Sequence, residues 1–140
     1  EGSLAMGIAT NAEEARKTAA VPFIGIVRKP VDAPLLSGER IAAGSIDLTA
    51  RFIASGQPHR ALPLTASLCT AVAARIDGTL VAAALSRAAA GRAAINIGMP
   101  SGILTVGADV VRTDAGWFAR SGSFYRTARR LFDGRVYVSA

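Results

Sequence analysis

A chain of 140 residues is the size of one domain and can bury one apolar core, so residues 1–140 are expected to form a single unit. About half the residues are apolar, but no uninterrupted apolar run reaches the roughly 18 residues that span a bilayer, which argues for a soluble protein with no membrane partner. The single cysteine, Cys69, rules out an internal disulfide, and EGSLAMGIATNAEEARK contains no basic region followed by an apolar segment, so a reducing cytoplasm is the expected setting.

The formal net charge is +6, and fourteen of the sixteen basic residues are arginine, spread along the chain. Only Arg126, Arg129 and Arg130, followed by Arg135, approach a patch. At helical spacing the first three would share a solvated face. No aromatic ladder or zinc-ligand spacing accompanies them, so nucleic acid is not the expected partner.

Residues 1–10 read as an extended or irregular start. Asn11 suits a helix N-cap and Glu14 follows three positions later, which predicts a short helix over 12–18. VPFIGIV at 21–27 reads as a strand, with Pro22 fitting either an edge position or the strand's first residues. Residues 29–38 contain two prolines and read as a loop. The spacing of Ile46, Ala50 and Ile53 predicts an amphipathic helix over 41–53, ended by Ser55 and Gly56.

The stretch 65–74 carries no charge, which predicts a helix apolar around its circumference and enclosed by other structure, ended by Asp77 and Gly78. Residues 79–85 fit either strand or helix, and 87–92 read as a surface turn. From there the chain reads as an antiparallel meander. It comprises a strand over 94–99, a tight turn at PSG (100–102), an extended run over 103–111, a second turn over 113–116 and the stretch 117–120. Residues 124–127 fit a strand or a helix start, 128–132 a helical turn, and 136–138 a closing strand. The order of elements gives an α+β class with a mostly antiparallel sheet around the uncharged helix.

Chemistry can reside where that helix begins. Thr65 can cap it, leaving the amides of Ala66, Ser67 and Leu68 in need of an acceptor. If that end opens into a cavity, the amides and the helix dipole favour an anion, and Arg60 adds a two-pronged donor suited to a carboxylate. The plainer reading of the same residues is a capped core helix beside an ordinary surface arginine. Cys69 reads as a small buried apolar side chain.

Three segments together resemble the 2-methylaconitate isomerase family, the PrpF proteins, within a larger group similar to diaminopimelate epimerase: SIDLTARFIASGQPHRALPLTASLCTAVAARIDGT, INIGMPSGILTV and FYRTARRLFDGRVYV. The resemblance is to the second lobe of such an enzyme. It implies a barrel-like sheet around a central helix, with the active site in a cleft between two lobes. It also implies movement of a proton in an unsaturated di- or tricarboxylic acid, with no metal or organic cofactor. The substrate-binding residues it implies are His59, Arg60, Ser101 and Gly102, together with the helix start at Thr65 and Ala66; it implies no catalytic acid or base in this chain, because the Cys and Lys expected for that work lie in the first lobe. The chain departs from the family pattern at Met99, where GHPSG is usual, and at Pro63, which falls near the position where epimerase-like relatives carry a second cysteine.

Two expectations follow. In the first, the chain is the carboxylate-binding lobe of a proton-shifting isomerase, its acid and base supplied by a complementary lobe. In the second, it is a non-catalytic module of the same fold that binds anions or self-associates as a homo-oligomer.

Overall fold

The computed structural model describes residues 2–17, 22–54 and 56–138. Positions 1, 18, 21 and 55, which fall in or border the expected elements, lie outside them. Short helices open the chain: α1 (Gly2–Ala5), where an irregular start is expected from sequence, and α2 (Ala12–Lys17). The Asn11 side chain accepts the Glu14 amide at 2.9 Å, as a cap should. The reciprocal half of the box reaches one residue further back, to Thr10, whose amide and hydroxyl both donate to Glu14. The Thr10 amide, with the hydroxyl second, holds the Glu14 carboxyl below the usual carboxylate range.

The main sheet has six strands. They are β1 (Ile24–Arg28), β4 (Leu48–Ala54), β5 (Gln57–Pro58), β6 (Ala94–Met99), β7 (Gly102–Thr113) and β8 (Gly116–Phe124). Their order is β1-β4-β6-β7-β8, with β5 paired to the end of β4. Two short strands, β2 (Ala33–Pro34) and β3 (Arg40–Ile41), pair separately inside and beside the expected loop. β1 is an edge strand, one of the two arrangements that Pro22 left open, and it begins after that proline.

Every pairing in the main sheet is antiparallel except β4 with β6. That parallel junction spans only Leu48↔Ile97 and Thr49↔Gly98. Where it stops, the Arg51 guanidinium donates to the Gly98 carbonyl at 3.2 Å and to the Ala50 carbonyl at 2.7 Å, joining the two strands through a side chain.

The helix expected over 41–53 does not form. A 3-10 turn at Ala43–Ser45 leads into β4 instead. The stretch is dense enough in apolar residues to fit both periods, and the alternation Leu48, Ala50, Phe52, all buried, satisfies the sheet. Its β-branched and aromatic members, Thr49, Phe52 and Ile53, favour the same outcome.

Helix α3 (Leu64–Ala73) lies against β7 and β8 of the curled, half-barrel sheet. It is uncharged, but it is not enclosed on every side. Ala66, Ser67, Thr70, Ala71 and Ala74 form the buried stripe, and their small size lets the helix lie close to the strands. Leu68, Cys69, Val72 and Ile76 line an open groove of about 420 Å³, completed by Ala73 and by Ala119, Ser121 and Gly122 of β8. Cys69 is therefore exposed, not buried as expected. A side chain at Gly122 would come within 3.3 Å of Leu68, so the glycine gives that leucine its room.

The core combines Leu48, Ala50, Phe52, Ile95, Ile97, Leu104 and Val106 of the sheet with Leu62, Ala66, Ala71, Ala74 and Ala89. Residues 79–85 resolve as helix α4 (Leu80–Ala84), capped by the Thr79 hydroxyl. The turn expected over 87–92 is more than surface. Ala89 is fully buried, and Arg92 pairs with the buried carboxylate of Asp47.

Past Phe124 the expected helical turn and closing strand are both absent, and residues 125–138 run without regular structure and exposed. A five-residue helix lacks the length to sustain itself in water, and a strand without a neighbour leaves its backbone unpaired.

Candidate functional site

Gly56, at φ 73°, turns β4 into β5, and the Ile53↔Pro58 pairing returns the chain alongside its own strand. The His59 amide then donates to the Phe52 carbonyl at 2.7 Å, and the His59 ring meets Phe23 edge-on with centroids 5.9 Å apart. Leu62 is buried, and its amide donates to the Met99 sulfur at 3.3 Å. Met99 thus anchors the loop that precedes α3.

Pro63 is the N-cap, and the first intrahelical bond runs from the Ser67 amide to the Pro63 carbonyl at 2.9 Å. Thr65 is therefore not the cap expected from sequence but an exposed residue of the first turn, while Ala66 is buried. Proline supplies no side-chain acceptor. The helix starts earlier than expected because the fixed φ of Pro63, −58°, already suits a helix boundary. The amides that face outward without an intrahelical acceptor are consequently those of Leu64, Thr65 and Ala66; Ser67 and Leu68 belong to the helix's own ladder.

A cleft of about 570 Å³ opens at this end, lined by residues 57–64 and by Arg126. His59 and Arg60 both line it, and no carboxylate does. A neighbouring cleft of about 510 Å³ is lined by Met99, Ile103, Leu104, Thr105, Tyr125, Arg126 and Thr127, so the two clefts meet at Arg126. The Tyr125 amide donates to the Thr105 carbonyl at 3.0 Å, extending the β7–β8 ladder one residue beyond Val106↔Phe124. That bond carries Arg126 to the cleft.

Ser101 lies in the turn between β6 and β7, and Gly102, at φ 136°, opens β7 opposite Met99. The turn is held from outside by the Leu36 amide, which donates to the Pro100 carbonyl at 2.9 Å. Ser101 is exposed, and neither residue lines either cleft. Of the residues expected at a site, the fold brings His59 and Arg60 onto one concavity, which α3 reaches through Leu64; Thr65, Ala66, Ser101 and Gly102 do not line it. Arg126, expected on a solvated helical face, lies in no helix and lines the cleft. The signal was present in the RTARRL segment, but only the β7–β8 pairing reveals where it falls. Arg129 and Arg130 are exposed on the irregular tail, the latter 3.5 Å from Asp133. Among the described residues no cluster of His, Cys, Asp and Glu has the arrangement of a metal site.

Fold and site together define a mixed α+β protein with a curled half-barrel sheet and an electropositive cleft at the start of its central helix. Residues 1–139 match the family model described as "PrpF protein", and the chain belongs to that family. It is 37% identical over 137 residues to a 2-methyl-aconitate isomerase of Cupriavidus necator, covering 98% of this chain and 34% of that protein. It is 34% identical over 131 residues to a 3-methylitaconate isomerase of Eubacterium barkeri, covering 93% and 33%. The crystal structure of a methylitaconate-delta-isomerase superposes with a TM-score of 0.74 at 31% identity, covering 89% of this chain and 33% of that one. The chain thus spans about a third of the length of the relatives it matches. Among the described residues no helix is long and apolar enough to cross a membrane.

Proposed function

We propose that this chain is the carboxylate-binding lobe of a cofactor-independent isomerase that shifts a proton in unsaturated di- or tricarboxylic acids of the methylaconitate type. The observation that carries this reading is the acid-free cleft at the start of α3, lined by Arg60, His59 and Leu64, the first residue of the helix. Relatives covering nearly the whole chain are named as isomerases of such acids.

The chemistry calls for such a cleft. A base removes a proton from a carbon conjugated through the double bond to a carboxylate, and the freed electron pair spreads onto that carboxylate's oxygens. An acid then delivers a proton at the other end of the allylic unit, the double bond moves, and no atom is gained or lost. Fixed donors aimed at the carboxylate oxygens lower the barrier as charge builds there. Arg60 offers its planar fork and the start of α3 its positive dipole end. The proton-transfer groups belong to a complementary lobe.

The test is calorimetric or NMR titration of the 140-residue chain with tricarballylate, a saturated tricarboxylate that cannot react. Binding that falls about tenfold in Arg60→Gln supports the reading, the size expected for losing a charge-assisted pair. Equal binding by wild type and variant removes it. The chain alone is expected to be silent toward aconitate-type acids, and turnover abolished by Arg60→Ala would move catalysis into this chain.

A second reading has its own observation. Leu131, Phe132, Val136, Tyr137 and Val138 are each more than three-quarters exposed, and the apolar groove beside α3 is open. Apolar surface on this scale suits a module that associates with a copy of itself.

A further inference from the structure

We infer that Arg126 is a second anion anchor of the cleft, taking a carboxylate other than the one at Arg60, so that the site selects acids carrying at least two carboxylates. This rests on the reading of Arg60 as a carboxylate binder. Both arginines line one concavity, and no Asp or Glu lines it. Three arginines have acids beside them, Arg92 with Asp47, Arg120 with Asp109 at 3.3 Å and Arg130 with Asp133, and the other arginines among the described residues do not. Among the described residues Arg60 and Arg126 have none.

Two like charges held in a concave wall repel each other and raise the local potential, and an anion placed between them relieves both. One carboxylate satisfies one planar fork in two-pronged fashion. Two forks on one cleft therefore match two carboxylates on one molecule, and the volume, about 570 Å³, lies within the range of small-molecule sites.

Arg126 is not placed by chance coiling of the tail, because the Tyr125 amide is fixed to Thr105 immediately before it. Beyond it, Thr105 and Thr127 line the adjoining cleft, so a longer acid extending past Arg126 meets polar side chains.

The experiment compares three saturated acids, tricarballylate, glutarate and butyrate, titrated by NMR into the full chain and into Arg60→Gln, Arg126→Gln and Arg129→Gln. Arg126→Gln is expected to weaken glutarate and tricarballylate about tenfold and to leave butyrate unchanged, erasing the preference for the dicarboxylate. Arg129→Gln removes the same charge from the same tail and is expected to change none of the three by more than about twofold, the scale of a screened surface charge. If Arg126→Gln behaves like Arg129→Gln while Arg60→Gln still weakens all three acids, the second anchor is refuted and the carboxylate site stands. If Arg60→Gln binds all three as wild type does, the site itself is misassigned and the second anchor falls with it.

Discussion

At the residue scale, Asp47 does more for the fold than its single charge suggests. It is 5% exposed, and its carboxylate accepts the Asn96 amide at 2.7 Å and the Ser86 hydroxyl at 3.1 Å while pairing with Arg92. Its own backbone also exchanges bonds with Asn96 and Ser86, so one residue fastens the start of β4 to β6 and to the end of α4. Removing a buried acceptor strands its donors, whereas removing a solvent-facing cation loses little. Asp47→Ala is therefore expected to lower unfolding free energy by about 2–3 kcal/mol in urea denaturation. Arg92→Gln, whose side chain is half exposed, is expected to cost less than about 1 kcal/mol. Equal losses in the two variants would show that the ion pair, and not the buried hydrogen bonds, carries the effect.

At the element scale, α3 and α4 are joined by one hydroxyl. Thr79 accepts the Ala82 amide at 3.0 Å, capping α4, and donates to the Ala73 carbonyl at 2.6 Å at the end of α3. Thr79→Val keeps the shape and removes both bonds, so a loss of about 1 kcal/mol is expected, within the range for N-cap removal. Thr79→Ser should retain most of that stability, and a serine variant as weak as the valine one would point to the methyl group instead.

The same scale explains which elements were legible from sequence. β6, β7 and the PSG turn were readable because Gly102 and Pro100 punctuate them. β4 was misread because Ile46, Ala50 and Ile53 fit a helical period while Leu48, Ala50 and Phe52 fit a strand period. Only pairing with β1 and β6 chooses between them.

At the scale of the whole molecule, an open sheet, an uncovered stripe on α3 and an irregular tail with exposed apolar side chains among its arginines, Leu131, Phe132, Val136, Tyr137 and Val138, occur in a chain that spans about a third of its relatives' length. The isolated chain is expected to self-associate in sedimentation velocity at high micromolar concentration. Replacing Leu131 and Phe132 with Glu should shift it toward monomer. A wild-type chain that stays monomeric throughout would show that these side chains are tolerated in water and would remove the self-association reading.

The sequence by itself determined the α+β class, the Asn11 cap and the family, because turn residues, caps and short motifs act through neighbours a few positions away. It also drew attention to Arg60 at the mouth of an uncharged helix. Tertiary structure alone decided that α3 begins at Pro63, that Cys69 faces an open groove and that Arg126 lines the cleft with Arg60. Those outcomes depend on which strands pair and how close a helix lies to a sheet, and such contacts join residues far apart in the chain, where local periodicity carries no information.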